Sequence, residues 1–179
     1  MSSIAIIVSF SLLFFLNACA VTAPDIFHNT EVEQCISVKD LPPKVLMVLP
    51  KEHDKKEFTY KRKLKNGIIS YGVDYEKDRE IFSIDYDEQG KVLREEKKVE
   101  FSDIPYDLRI KVEKVLSEHY PNYNILQIEE VYTGNEMLLE VSFSHHKAKT
   151  GLVEAFFEYQ SGTLREFVNI KMKSIETLN

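Results

Sequence analysis

Cysteine is scarce in this 179-residue chain, which has only Cys19 and Cys35. Two cysteines cannot build a disulfide framework. Glycine is scarce as well, at six residues, and most of these fall in predicted turns. None of them builds a phosphate-cradling loop, and neither a nucleophile elbow nor an H-E-x-x-H motif is present. Active sites need no linear motif, but nothing in the sequence assigns a catalytic residue, a metal ligand or a cofactor. Before Asp25 the chain has no Asp, Glu, Lys or Arg at all. The whole chain carries a net charge of −6, and an acidic total argues against nucleic acid as the main partner.

What the first residues do contain is apolar. From Ile4 to Leu16 nearly every side chain is hydrophobic, and Leu16-Asn17-Ala18-Cys19 follows. That order reads as an export signal over residues 1–19. About twenty apolar residues are needed to cross a bilayer, and this run is shorter. Three readings of its fate remain. Leu16 to Cys19 matches a lipobox, whose cleavage leaves Cys19 lipidated, although Asn17 replaces the usual small residue and no basic residue precedes the run. Ala18-Cys19-Ala20 matches the small-x-small site of ordinary secretion, with Val21 as the new terminus. The third reading is an uncleaved anchor. The first places the protein on the membrane as a periplasmic or outer-membrane lipoprotein; the second makes it secreted.

The remainder repeats itself. Asp40-Leu41-Pro42 returns as Asp103-Ile104-Pro105, and Ile69–Glu76 as Met137–Ser144. Gly90-Lys91-Val92-Leu93-Arg94-Glu95 returns as Gly162-Thr163-Leu164-Arg165-Glu166. Repetition at this spacing points to two supersecondary units rather than a solenoid. In the second unit Leu108, Val112, Val115, Leu116 and His119 form one apolar stripe of a helix that opens at Asp103-Ile104-Pro105 and ends at Pro121. Four alternating strand-like runs follow, with Gly134-Asn135, Lys149-Thr150-Gly151 and Ser161-Gly162 between them. The first unit has the same order, with a helix cut to about two turns by Pro50 and an Asn66-Gly67 hairpin signal.

The expected fold class is therefore α+β: a tandem repeat of a helix followed by a four-stranded antiparallel sheet, with the helices packed on one sheet face. The expected divisions are a flexible segment at 20–36, repeats at 37–99 and 100–171, and a tail at 172–179. No linker rich in Pro, Gly or Ser parts the repeats near Val99–Ser102, so they are expected to pack together or to extend one sheet.

Candidate chemistry is sparse. His145-His146 sit beside Lys147 in a predicted hairpin turn, and adjacent strand residues point to opposite faces. They are expected to be solvated rather than metal ligands. Pairs such as Glu129-Glu130 and Asp85/Asp87 read as solvated strand faces. Lys61, Lys63 and Lys65 share one strand face, opposite Phe58, Tyr60 and Leu64. Such a row suits an edge strand guarded against aggregation, or a docking surface for an acidic protein or anionic lipid head groups.

Taken in order, these features resemble a family. The signal with its lipobox, the two helix-then-four-strand units, the acidic-apolar-Pro helix starts, Tyr120-Pro121, Ile128-Glu129 and the Gly162 hairpin are similar to the PepSY-like domains of bacterial envelope proteins. Those share an architecture with the β-lactamase-inhibitor protein. The resemblance spans about Ser37 to Ile170; the first unit departs from it, lacking the Tyr-Pro step. It implies a non-catalytic binding module that engages an envelope protein through an open sheet face and hairpin loops, and that restrains a protease or another enzyme. An alternative use of the same face is to hold a lipid or small ligand. Mass spectrometry of the mature N-terminus is expected to find diacylglyceryl-modified Cys19, and Cys19→Ser is expected to release the protein from membranes. A free Val21 amine contradicts this.

Overall fold

In the computed structural model, residues 28–50, 58–146 and 151–173 are described; the expected export signal and Cys19 lie outside them. The strands are β1 (His28–Ile36), β2 (Thr59–Lys65), β3 (Ile68–Lys77), β4 (Glu80–Tyr86) and β5 (Val92–Lys98). They continue as β6 (Asn124–Thr133), β7 (Glu136–Ser144), β8 (Leu152–Glu158) and β9 (Leu164–Lys173). Helix α1 (Pro43–Val48) precedes β2, and α2 (Tyr106–His119) precedes β6. Pro43 occupies the first turn of α1, where its missing N–H costs nothing. Leu49, held extended before Pro50, ends that helix.

The nine strands form one closed barrel in sequence order. Neighbours from β2 to β9 are all antiparallel. Strand β1 closes the ring, antiparallel to β2 (Val32 opposite Leu64) and parallel to β9 (Val32 opposite Lys171).

This corrects the expected fold class. The protein is not an α+β tandem of two helix-covered sheets but a mixed β-barrel with two helices on its outside. β5 pairs directly with β6, so residues 37–99 and 100–171 share a single sheet. Residues 28–36, expected to be flexible, supply the closing strand, in which Glu31 and Glu33 alternate with Thr30, Val32 and Gln34 and the backbone pairs on both sides. β9 runs on to Lys173, past the expected start of the tail. β2 is not an edge strand, since β1 and β3 flank it.

Strand alternation sends apolar residues outward, under the helices. Leu108, Val112 and Leu116 of α2 pack on Leu139, Val141 and Phe143 of β7, Val153, Ala155 and Phe157 of β8, and Phe167 of β9. Val45 of α1, with Leu41 and Leu49, packs on Tyr71 and Val73 of β3 and Tyr86 of β4. Each helix is also pinned to the last hairpin of its half. The Lys44 ammonium donates to Gln89 Oε1, and Lys111 Nζ donates to the Ser161 carbonyl at 2.7 Å. The next residue is Gly90 in one case and Gly162 in the other. A Cβ there would lie 2.6 Å from Lys44 O or from Lys111 Cδ, so only glycine lets the turn reach the helix.

Leu116 is fully buried, whereas Lys111 is exposed apart from its one bond. In denaturant titration Leu116→Ala is expected to cost about 2–5 kcal/mol. Lys111→Ala is expected to cost no more than about 1 kcal/mol. Equal losses would mean that α2 faces the wrong way.

Candidate functional site

The inward half of the same alternation carries the charge. Among the described residues seven carboxyl side chains are buried: Glu31 and Glu33 on β1, Asp85 on β4, Glu96 on β5, Glu129 on β6, Glu140 on β7 and Glu154 on β8. The bore is thus polar where a simple folded barrel would be apolar, and the apolar core lies between sheet and helices. Burying so many acids is unfavourable unless each is paired, hydrogen-bonded or protonated.

Part of the charge is matched by a crossbar of ion pairs. Lys63 Nζ lies 3.0 Å from Asp85 Oδ1, and Arg94 Nε donates to Asp85 Oδ2 at 2.6 Å. Arg94 Nε also lies 2.7 Å from Glu96 Oε1, and Lys63 Nζ lies 3.8 Å from Glu33. Gly72 of β3 makes room for this crossbar: a Cβ would sit 2.9 Å from both Asp85 Oδ1 and Lys63 Cε. Burial pushes the Asp85 carboxyl up, but the Lys63 ammonium and Arg94 guanidinium more than reverse this and hold it well below its usual range. Phe156 of β8 faces the same interior, with Lys65 Nζ 5.3 Å and the Arg94 guanidinium 6.0 Å from its ring centre.

Arg94 lines two cavities. The smaller, about 240 Å³, lies toward the β2–β3 turn and includes Glu31 and Asn66. The larger, about 350 Å³, lies toward the β3–β4 turn. Its walls include Glu129, Glu140 and Glu154, and these are poorly matched. Glu140 Oε2 has only Arg94 Nη1 near it, at 3.7 Å, and Glu154 Oε2 has no hydrogen-bond partner. Burial, and then the neighbouring Glu96, raise the Glu129 carboxyl to about 7. Burial raises Glu154 to about 8 against the pull of Arg94 and Lys63. Burial, with Glu154 and Glu96 adding to it, pushes Glu140 well above its usual range.

The lysine row is therefore real but inverted with respect to a docking surface. Lys61, Lys63 and Lys65 share a face, and that face is the bore. Lys63 is 4% exposed. Lys61 is ion-paired to Asp74 at 2.9 Å, and Lys65 to Glu166 at 2.7 Å. Asp85 and Glu129, expected on solvated faces, are buried. His145, expected in a solvated turn, is buried too, with its Nε2–H donating to the Pro121 carbonyl at 2.8 Å. Among the described residues no group of three His, Cys, Asp or Glu side chains is placed to hold a metal ion.

Sequence reasoning missed Glu140 and Glu154. The available signal was a single acid inside an apolar strand: Leu139-Glu140-Val141 and Val153-Glu154-Ala155. It also equated Arg94 with Arg165. Arg94 follows its turn glycine by four residues and Arg165 by three. One residue exchanges the faces of a strand, so the Arg94 side chain is 16% exposed and Arg165 is 49% exposed. The position across from Phe156 that matches Arg94 is Glu166.

No family model and no curated protein matches the chain. Solved structures are similar to it at low identity. A DUF2874 family protein from Bacteroides ovatus is 12% identical, with 71% of this chain and 86% of that one covered at a TM-score of 0.48. A DUF2874 family protein from Bacteroides uniformis is 12% identical, with 70% and 87% covered at 0.47. A BLIP-like protein from Bacteroides fragilis is 16% identical, with 69% and 82% covered at 0.44.

The raised carboxyls fix the sign of the pH dependence. Above the ordinary value of 4.5 the folded barrel holds protons that the unfolded chain has lost, on Glu129 up to about 7 and on Glu154 up to about 8, with Glu140 acting in the same direction, so stability falls as pH rises. Asp85 acts oppositely: its contribution is present above its unfolded value and is lost as pH falls through its lower folded one. Stability is expected to peak in mildly acid solution, near about pH 5. Glu154→Gln, a neutral isostere, is expected to raise stability at pH 8 by about 1–3 kcal/mol and to change it little at pH 5. Denaturant midpoints at the two pH values check this; wild-type stability that rises from pH 5 to pH 8 contradicts it.

Proposed function

We propose that this chain is a non-catalytic, exported binding module of the bacterial cell envelope, and that its recognition site is the barrel bore. The observation that carries the reading is the 350 Å³ cavity, whose walls hold buried carboxyl groups left without full partners. A volume of that order suits a small molecule or a single side chain. Unpartnered buried carboxyls are unfavourable to the folded state on their own, which supports a role in recognition. The export reading rests on Leu16–Cys19, with Cys19 as the proposed lipid anchor.

The mode implied by the family resemblance needs an open sheet face broad enough to receive a protein surface. With β1 in place that face is turned inward, so the whole surface of a protease or other enzyme does not fit against it. The charged walls also disfavour a lipid chain. A small polar ligand is the reading the geometry supports best. A protein partner remains as a second reading in one form, a protruding side chain received by the cavity. Exposed Ile81, Leu126 and Met172 border the cavity and favour it, since apolar residues at a mouth suit a partner's surface.

Ser142 lines the cavity on β7. Ser142→Phe is expected to fill it while leaving the fold intact by circular dichroism. Against a mixed panel of sugars, carboxylic acids, phosphates and amines, at least one class is expected to raise the melting temperature of the wild type and not of Ser142→Phe. Shifts equal in both proteins, or no shift with any class, overturn the reading.

A further inference from the structure

We infer that the ligand of the bore is an organic cation, a primary ammonium or guanidinium group carried on a short apolar stem, and that Glu140 and Glu154 receive it. The inference rests on the proposal that the bore is the binding site and adds the chemistry of what binds there.

Six carboxyl side chains line the larger cavity against three cationic ones. The three cations are already engaged: Lys61 with Asp74, Lys63 with Asp85, and Arg94 with Asp85 and Glu96. An anionic ligand would find no free cation and would face a surplus of acid. Glu154 is 9% exposed and lines the cavity with an oxygen that no group satisfies. Glu140, one strand over, is 3% exposed, and its Oε2 approaches no cation closer than the 3.7 Å to Arg94. Their strands are hydrogen-bonded neighbours, with Glu140 opposite Phe156 and Glu154 opposite Ser142. The two carboxyls thus leave the same wall as diagonal neighbours, a spacing that long side chains can bridge. A positive group between them would replace the protons that now keep them neutral, and charge-assisted hydrogen bonds to buried carboxylates are the strong kind.

The cavity also selects against a bare ion. No three acid, His or Cys side chains among the described residues are placed around a common metal position. The border is apolar instead: Ile81 is 42% exposed, Leu126 53% and Met172 55%, and all three line the same cavity as Glu154. An acidic floor beneath an apolar border matches a cation with a few methylene groups behind it.

The groups that face Glu154 set the proton linkage. Arg94 and Lys63, from β5 and β2, favour its ionised form, and Glu31 and Glu33 on β1 oppose it; Glu140 is raised in turn by Glu154, Glu96 and Glu129 against the pull of Arg94. Because the receiving carboxyls hold protons when the site is empty, binding must displace them. Affinity for the cation therefore rises with pH across the neutral range.

Isothermal titration of the full mature protein with n-butylammonium, n-butanol and n-butyrate tests the inference. Butylammonium is expected to bind at least tenfold more tightly than either isostere and to do so more tightly at pH 8 than at pH 6. Titration in buffers of different ionisation heat is expected to register proton release. Glu154→Gln is expected to lose at least tenfold in affinity without loss of fold, whereas Glu118→Gln, on the exposed face of α2, is expected to change nothing. Blocked lysine, with both backbone ends capped, separates two sources of the same chemistry: binding as tight as that of butylammonium points to a partner's side chain, and weaker binding points to a free amine. Butanol or butyrate binding as well as butylammonium, or full affinity in Glu154→Gln, overturns the cation assignment. If a neutral or anionic compound of the mixed panel then gives a shift that Ser142→Phe abolishes, the bore stands as the site and only its ligand class falls.

Discussion

Strand β1 carries two ladders at once, antiparallel to β2 and parallel to β9, and the character of the interior depends on both. Strands β2 to β9 alone would make a curved open sheet with one face in water. Charged residues on that face would then be solvated. By joining the two edges, β1 removes the water and turns eight strands' worth of exposed polar face into a wall. The same strand brings Glu31 and Glu33 into the enclosure, where their carboxyls meet the electrostatics that it creates. Closure and the perturbed titration of the bore are therefore one event seen from two sides.

The enclosure is tolerable because its charges are graded. Asp85 is ion-paired with Lys63 and Arg94, and Gly72 leaves the space that this pairing needs. Glu96 and Glu33 share in the same cations. Further round the ring, at Glu129, Glu140 and Glu154, compensation runs out and protonation takes its place. A barrel whose interior changes from matched to unmatched over a few strands has a defined polar end to its cavity.

Much of the local structure was legible in the chain. Pro42-Pro43 and Pro50 bound the short helix, and the stripe from Leu108 to Leu116 is buried along α2. The Asn66-Gly67 and Ser161-Gly162 turns separate paired strands. What was not legible is long-range. Period-two alternation shows that a strand has two faces; it does not show which face is enclosed. Lys61, Lys63 and Lys65 look like a solvent-facing row because lysine is seldom buried, and only the ladders to β1 and β3 reveal that they point into a bore. Strand β1 itself lies in the segment 20–36 that was expected to be flexible. The one-residue difference between the Gly90 and Gly162 hairpins then moved an arginine from inside to outside, which no alignment of Leu-Arg-Glu with Leu-Arg-Glu would expose.

The position of β1 also has a mechanical side. His28 lies nine residues after Cys19, and nine residues span at most about 30 Å. A lipid at Cys19 would therefore hold the start of the closing strand within about 30 Å of the bilayer. Tension along that tether would act on β1 from its N-terminal end. There seven residues run parallel to β9 and six, four of them the same, pair with β2, so the load would pass into both ladders in shear and be shared among many hydrogen bonds. A hairpin peeled from its open end would instead lose its bonds one at a time. Were β1 to yield, the wall would part along a single seam, and the carboxyls behind it would regain water together.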